Sequence, residues 1–118
     1  MDISEFFVDF PEAKDCFNVI KAQIEELGPS VMRVSKSQIG FYRVHGFAYI
    51  WVPGKYLKSK CAPLALSVLL NTKLEGYAFK EIVGPKDGKY IHHLEIKDDQ
   101  GLSSDMIRVL MLAYQQAE

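Results

Sequence analysis

Apolar residues recur at helical spacing in the stretch that follows Pro11. They are separated by alternating steps of four and three residues, which gives a helix one apolar face. This stripe consists of Ala13, Phe17, Ile20, Ile24 and Leu27. Pro11 suits the first helical position because its fixed φ and missing N–H cost little there, and Gly28 with Pro29 predicts the end of the helix. The preceding residues predict a short helical turn or arm that docks Phe6, Phe7 and Phe10.

Three stretches rich in β-branched and aromatic residues come next, at residues 31–35, 39–44 and 47–52, and each predicts a strand. His45 and Gly46 predict a two-residue hairpin loop between the second and the third. The resulting register pairs Tyr42 with Tyr49, Val44 with Phe47 and Gly40 with Trp51.

Side-chain alternation gives this hairpin two different faces. One face is aromatic, and we expect it to be only partly covered; it carries Tyr42, Val44, Phe47, Tyr49 and Trp51. The other face carries Phe41, Arg43, Ala48, Ile50 and Val52, and its aliphatic members are expected to form a core covered by helices. The hairpin is therefore predicted to supply both a core layer and an outer layer.

The second half of the chain predicts more strands and a closing helix. Pro53 and Gly54 end the first strand group, and a basic loop at residues 55–63 leads to an apolar run at residues 64–70 that is typical of a buried strand. After a loop at residues 71–76, strands at residues 79–83 and 89–96 flank Asp87 and Gly88, a strong hairpin sequence. In the last strand, one face carries Tyr90, His92, Leu94 and Ile96, and the other carries Ile91, His93 and Glu95.

A serine cap predicts the start of the C-terminal helix. Either Ser103 or Ser104 is suited to capping it, and Asp105 lies in its first turn, where a negative charge is favourable. The predicted buried stripe is Ile107, Leu110, Met111, Tyr114 and Ala117. Strands bounded by helices predict a single α+β domain over residues 1–118, in which an antiparallel sheet of five or six strands carries its helices on one face.

Charge is distributed unevenly along the chain. The formal net charge is only −1, so no global field attracts nucleic acid or membrane. Residues 27–74, however, contain no Asp or Glu. The basic residues of this acid-free span are Arg33, Lys36, Arg43, Lys55, Lys58, Lys60 and Lys73. Two interpretations are open: an anion-binding surface, or strands with solvated cations on one face.

Several classes of protein and of site are disfavoured by what the sequence lacks. Cys16 and Cys61 have no zinc-type spacing, and Cys16 falls on the predicted apolar helix face, where a thiol acts as a small hydrophobe. No signal segment and no apolar run of about 20 residues is present, so we expect a cytoplasmic protein that does not enter a membrane. The sequence contains no P-loop, GxGxxG or GxSxG motif, which indicates no cofactor and leaves enzymatic activity uncertain, with the balance against it.

The run His92-His93-Leu94-Glu95 is the one stretch that would favour an enzyme or a metal site. Adjacent strand residues point to opposite faces, so His92 and His93 cannot hold one metal ion without distortion. His93 and Glu95 share a face and would form an acid/base pair or half of a metal site. The alternative is a hydrogen-bonded core histidine at His92 and a surface pair at His93 and Glu95.

A binding surface is the favoured function. Guanidinium and ammonium groups beside exposed aromatic rings suit a small anionic ligand or nucleic acid, because cations bind phosphate and rings stack on bases. The candidate ligand-binding residues are Arg33, Lys36, Arg43, Trp51, Tyr56, His92, His93 and Glu95. In the competing interpretation Trp51 and Tyr49 belong to the core. A further alternative makes the aromatic face a homodimer interface, so both a monomer and a homodimer are considered.

The segments RVSKSQIGF, FAYIWVP, GKYLKSKCAPL and IHHLEI resemble a small bacterial family known only as a domain of unknown function. Its members also occur as C-terminal domains of proteins labelled predicted transport proteins. The resemblance extends from about Phe6 to the last helix, and SKSQI and HHLE are its most specific parts. The matching positions are Arg33, Ser35, Lys36, Gln38, Phe41, Arg43, Trp51, Pro53, Tyr56, Leu57, His92, His93 and Glu95. The element order is also similar to the frataxin-like and YjbR-like arrangement, so the resemblance implies a fold and no particular activity.

Overall fold

The computed structural model describes residues 1–57 and 60–118. Within these residues the helices are α1 (Ile3–Phe6), α2 (Pro11–Glu25) and α3 (Ser104–Gln116), and a short 3-10 turn covers Pro53–Lys55. The strands are β1 (Val31–Val34), β2 (Ile39–Tyr42), β3 (Gly46–Trp51), β4 (Leu64–Leu70), β5 (Glu81–Lys86) and β6 (Lys89–Ile96). Lys58 and Ser59, in the predicted basic loop, lie outside the described residues.

The strands form one antiparallel sheet of six, in the order β1-β2-β3-β4-β6-β5. Helices α2 and α3 pack on it through a common core with the inward side chains of β2, β3 and β4. The predicted α+β class, with an antiparallel sheet and a helix at each end of the chain, is confirmed. Because β6 pairs with β4, β5 is left at the edge of the sheet.

The N-terminal elements follow the apolar pattern. Pro11 opens α2, which buries Cys16 on the expected face, and burial raises the pKa of the Cys16 thiol. The arm before α2 docks Phe6 and Phe7 in the core, and Phe10 is half-buried. The predicted role of Cys16 as a small core hydrophobe is therefore confirmed.

Helix α3 begins where its cap was expected, but its buried face is rotated. The Ser103 hydroxyl accepts a hydrogen bond from the Met106 N–H at 3.3 Å. The buried residues of this helix and its C-terminal cap are Met106, Val109, Leu110, Ala113, Tyr114 and Ala117. Ile107 and Met111, which the stripe pattern placed inside, are only half-buried. The apolar residues of this helix extend around much of its circumference, so the pattern did not define a unique inner face.

The β2–β3 hairpin differs from its predicted register. Tyr42 pairs with Gly46, Phe41 with Ala48 and Gly40 with Tyr49, so the loop comprises Arg43, Val44 and His45 instead of two residues. The N–H groups of Val44 and His45 both donate to the carbonyl of Ala117, at 3.0 Å each. The wider loop therefore satisfies a carbonyl at the C-terminal end of α3, a tertiary contact that local turn preferences do not encode.

This wider loop moves one aromatic residue from the outer face to the core. Between Phe41 and Tyr42 the register shifts, so that Phe47 is the unpaired residue of a β-bulge. Its side chain is 0% exposed and its ring lies 5.4 Å from that of Tyr114, whereas Val44 is 75% exposed. The prediction that Val44 and Phe47 share the aromatic face is wrong for Phe47.

His92 is a core residue. It is 0% exposed, its ring lies 4.9 Å from that of Phe79, and its Nε2 accepts a hydrogen bond from the Leu74 N–H at 3.0 Å. Burial lowers the pKa of His92, although the carbonyls of Val68 and Tyr90 oppose this by favouring the protonated ring. Because Nε2 accepts the hydrogen bond from Leu74, the neutral form of the ring carries its proton on Nδ1.

The corrected hairpin predicts unequal costs for two neighbouring substitutions. Phe47→Ala should lower the free energy of unfolding by about 3–5 kcal/mol, because it leaves a cavity beneath Tyr114. Val44→Ala should change it by about 0.5 kcal/mol or less, as is usual at exposed positions. Urea denaturation measures both values. Equal losses for the two variants would instead support the two-residue hairpin in which these side chains share a face.

His92 predicts a pH dependence of stability. Its ordinary pKa is 6.5 and its folded pKa is lower, so below pH 6.5 the unfolded chain binds more protons than the folded one. The free energy of unfolding should therefore fall as the pH drops below about 6.5, by at most about 1.4 kcal/mol per pH unit. His92→Gln should flatten this slope, and the exposed His45→Gln should keep it. If His92→Gln and the parent chain show the same slope in denaturant titrations, His92 is not the titrating group.

Candidate binding groove on the uncovered sheet face

A continuous row of register partners crosses the face of the sheet that points away from the helices. The row is Arg33, Gly40, Tyr49, Ser67, His93 and Glu81, from β1 to β5. One step along the strands, Trp51, Ala65 and Glu95 form a parallel row. Because side chains alternate along a strand, the members of both rows point to the same side. Trp51, Tyr49 and His93 are half-buried, as expected for a partly covered face.

Four members of these rows, Tyr49, Trp51, Ser67 and His93, lie in the lining of an open groove of about 660 Å³. Three successive levels line it: Trp51 with Tyr56, Ser37 and Gln38; then Tyr49 with Ser67 and His93; then Leu69 with Ile91 and Lys86. Among the described residues that line the groove, none is an Asp or Glu. The groove is therefore aromatic at one end, polar in the middle and apolar with one cation at the other end.

A chain of hydrogen bonds orients the indole of Trp51 and the imidazole of His93 in the groove. The Trp51 indole N–H donates to the Ser67 hydroxyl oxygen at 3.3 Å, and that oxygen lies 2.8 Å from Nδ1 of His93. Ser67 is almost fully buried between the two rings. Because one hydroxyl contacts both rings, Ser67 determines the positions of the indole and the imidazole relative to each other.

Tyr56 extends the aromatic end. Its ring lies 6.5 Å from that of Trp51 at an angle of 54°, and its hydroxyl donates to the carbonyl of Ser37 at 3.3 Å. The turn between β1 and β2 has an internal hydrogen bond, in which the Ser35 hydroxyl donates to the Gln38 carbonyl at 3.0 Å. This end of the groove is thus built from the β1–β2 turn and from the segment after β3.

Two tyrosines, Tyr49 of the groove lining and its neighbour Tyr42, pack over glycines that leave room for their rings. The Tyr42 and Tyr49 rings are 5.7 Å apart and nearly perpendicular. A Cβ at Gly40 would stand 2.7 Å from the Tyr42 ring, and one at Gly46 would overlap the Tyr49 hydroxyl. Burial, and then the hydrogen bond with Tyr42, raises the pKa of Tyr49 to about 12. The Tyr49 phenol therefore stays neutral around neutral pH.

The structure brings together only some of the residues predicted from the sequence. Trp51, Tyr56 and His93 line the groove. Arg33 is on the same face, with its guanidinium 4.8 Å from the centre of the Tyr42 ring, and Lys36 is exposed in the β1–β2 turn. The side of the sheet that carries the groove therefore holds Arg33, Trp51, Tyr56 and His93, and Lys36 belongs to the adjoining turn.

The remaining predicted residues lie elsewhere. Arg43 donates to the carbonyl of Tyr114 at 3.0 Å and lies 4.2 Å from the centre of its ring, so it interacts with α3. His92 is in the core on the opposite side of the sheet. Glu95 borders a separate cavity of about 50 Å³ beside Trp51 and His93, where Lys80 approaches it at 3.9 Å.

This arrangement bears on the alternative metal or catalytic site. His92, His93 and Glu95 do not converge, because the two histidines point to opposite faces of β6. Within residues 1–57 and 60–118, no three His, Cys, Asp or Glu side chains group in a way that could hold a metal ion.

Sequence reasoning missed Ser67 and Lys86. Ser67 is the single polar residue of the apolar strand Leu64–Leu70, and that isolation was a usable indication of a specific partner. No comparable feature of the sequence indicates Lys86. The pairing register of β5 with β6 changes between Val83 and Lys86, and Lys86 lines the groove beyond that change.

In the part of the chain that the structure describes, no helix has both the length and the apolar character needed to cross a membrane.

Comparisons with known proteins identify a family but no individual relative. Neither the curated proteins nor the solved structures include a match to this chain. A family model described as "Domain of unknown function (DUF5655)" matches residues 4–117, which confirms the expected resemblance to a small family of unknown function. The chain therefore belongs to the DUF5655 family.

Proposed function

We propose that this protein is a binding module that takes an anionic, ring-bearing ligand of the nucleotide type in the groove on the uncovered sheet face. One observation carries the proposal: the described lining combines four aromatic or imidazole rings with a lysine and contains no carboxylate. Its rings are Tyr49, Trp51, Tyr56 and His93.

Stacking of a base on aromatic rings is the first interaction that supports the proposal. Tyr56 is 57% exposed and stands beside the half-buried Trp51, so both offer a ring to a ligand. Stacking of a base on an aromatic side chain contributes about 1–3 kcal/mol. Since Trp51 is already oriented through Ser67, little side-chain freedom is lost when a base stacks on it.

The charge of the groove is the second feature that supports the proposal. Strands β1 to β4 all come from the acid-free span at residues 27–74, so the groove floor between them contributes only neutral and basic side chains. Lys86 lines the groove, Arg33 lies on the same face of the sheet, and Lys36 is exposed in the turn between β1 and β2. The nearest carboxylates in the two rows are Glu81 and Glu95, on the β5–β6 side, and Glu95 already interacts with Lys80. Cations around an aromatic floor match a ligand that has a base and a phosphate.

Polar groups in the middle of the groove would orient the ligand. His93 uses Nδ1 for the contact with Ser67, so Nε2 is the ring atom through which His93 would bind a ligand. Ser37 and Gln38 supply a hydroxyl and an amide at the aromatic end. A few polar groups within a largely apolar lining are typical of small-molecule sites.

The proposal predicts weak, salt-sensitive binding of nucleoside monophosphates. Calorimetric titration at low salt should give a measurable dissociation constant, and raising the salt should weaken it because the contact is partly ionic. Tyr56→Leu should weaken binding about 5- to 150-fold, which is the equivalent of one lost stack. The matched control is Tyr77→Leu, at a tyrosine that is 40% exposed and outside the groove, and it should bind like the parent chain.

Two results would contradict the proposal. Absence of binding heat for every nucleotide at low salt removes its basis, and equal losses for Tyr56→Leu and Tyr77→Leu place any binding elsewhere. Sedimentation at low concentration tests the competing homodimer. A stable dimer in which Tyr56→Leu causes dissociation would make a second copy of the chain the occupant of this face.

A further inference from the structure

We infer that the ligand of the groove is a single-stranded nucleic acid, bound with its chain running along the strand direction from Tyr56 towards Lys86. This inference rests on the proposed function and specifies the polymer instead of the free nucleotide. It depends on the length of the groove, on the spacing of its rings and on the positions of its cations.

The groove is longer than one nucleotide needs. Its three levels are separated by two residues along β3 and β4, so each step measures about 7 Å and the full path about 13 Å. Trp51 and Tyr49 occupy successive levels, and Leu69 with Ile91 forms the third. A base stacked at Trp51 and Tyr56 leaves the two other levels for its neighbours.

The spacing favours bases that are separated from one another. Stacked neighbours in a duplex rise by about 3.4 Å, half of the step between Trp51 and Tyr49. Successive bases reach these two rings only when they are unstacked, as happens in single strands bound to proteins. A duplex groove admits a helix or a two-stranded ribbon, so the face of a six-stranded sheet does not fit into it.

The cations lie at both ends of this path. Lys36 is exposed beside Ser37 at the aromatic end, and Lys86 lines the apolar end. A single phosphate needs only one of these two positions. A ligand with a repeating phosphate backbone contacts both, so the charge pattern matches a polyanion that spans the groove.

The test is a length series of oligothymidylates containing one, two, three and six nucleotides, titrated by calorimetry into the whole chain. Affinity should rise by about tenfold or more between the mononucleotide and the hexanucleotide. Lys86→Gln should weaken binding of the hexanucleotide several-fold and reduce its salt slope by about 0.7, because it removes one contact with the phosphate backbone. The matched control is Lys73→Gln, whose exposed lysine pairs with Glu75 outside the groove lining.

Each other outcome has a distinct meaning. If the mononucleotide binds as tightly as the hexanucleotide, or if a duplex of the same sequence binds equally well, the polymer inference is overturned and the proposed function stands. If none of these ligands binds, both are overturned. If inorganic polyphosphate matches the hexanucleotide and Tyr56→Leu weakens neither, binding is purely ionic, and the aromatic groove has no part in it.

Discussion

Helices α2 and α3 pack against one face of the sheet, and this packing determines which residues of the central strands are buried in the core. Inward side chains such as Phe41, Ile50 and Leu66 join those helices in one core and are almost fully buried. Their neighbours in sequence point the other way and have no helix to cover them. One-sided burial thus leaves an outer layer that is free to carry rings and polar groups.

That outer layer is ordered by contacts that arise from the fold itself. Ser67 lies between Trp51 and His93 only because β4 pairs with β3 on one side and with β6 on the other. Tyr42 and Tyr49 rest over Gly40 and Gly46 because of the bulged hairpin register. A preformed surface of oriented rings costs less ordering entropy on binding than a flexible one would.

Local patterns predicted much of the fold. The Pro11 start of α2, the apolar strand Leu64–Leu70 and the Asp87-Gly88 turn each depend on nearby residues, and each was predicted. Asp87 and Gly88 both have the positive φ that such a turn requires. The β2–β3 register depends instead on the carbonyl of Ala117, at the other end of the chain, so no local rule could provide it.

The same distinction applies to the candidate site. Trp51 and His93 could be identified because their residue types and their alternation along a strand are visible in the sequence, and Tyr56 because of its residue type. Arg43 could not be assigned, because its partner Tyr114 belongs to α3. Lys86 could not be assigned either, since the irregular end of β5 places it beside β6. The alternation of side chains along a strand identifies the residues of the outer sheet face, and tertiary contacts determine which of them form the groove.

An NMR titration with an unlabelled trinucleotide tests the location of the site most directly. The chain has one tryptophan, so its proton–nitrogen spectrum contains a single indole N–H signal, and that group donates to Ser67 inside the groove. The account predicts that this signal shifts together with the backbone amides of Tyr49 and His93, while the amides of α2 stay in place. Shifts concentrated on α2 or α3, with an unchanged indole signal, would contradict it.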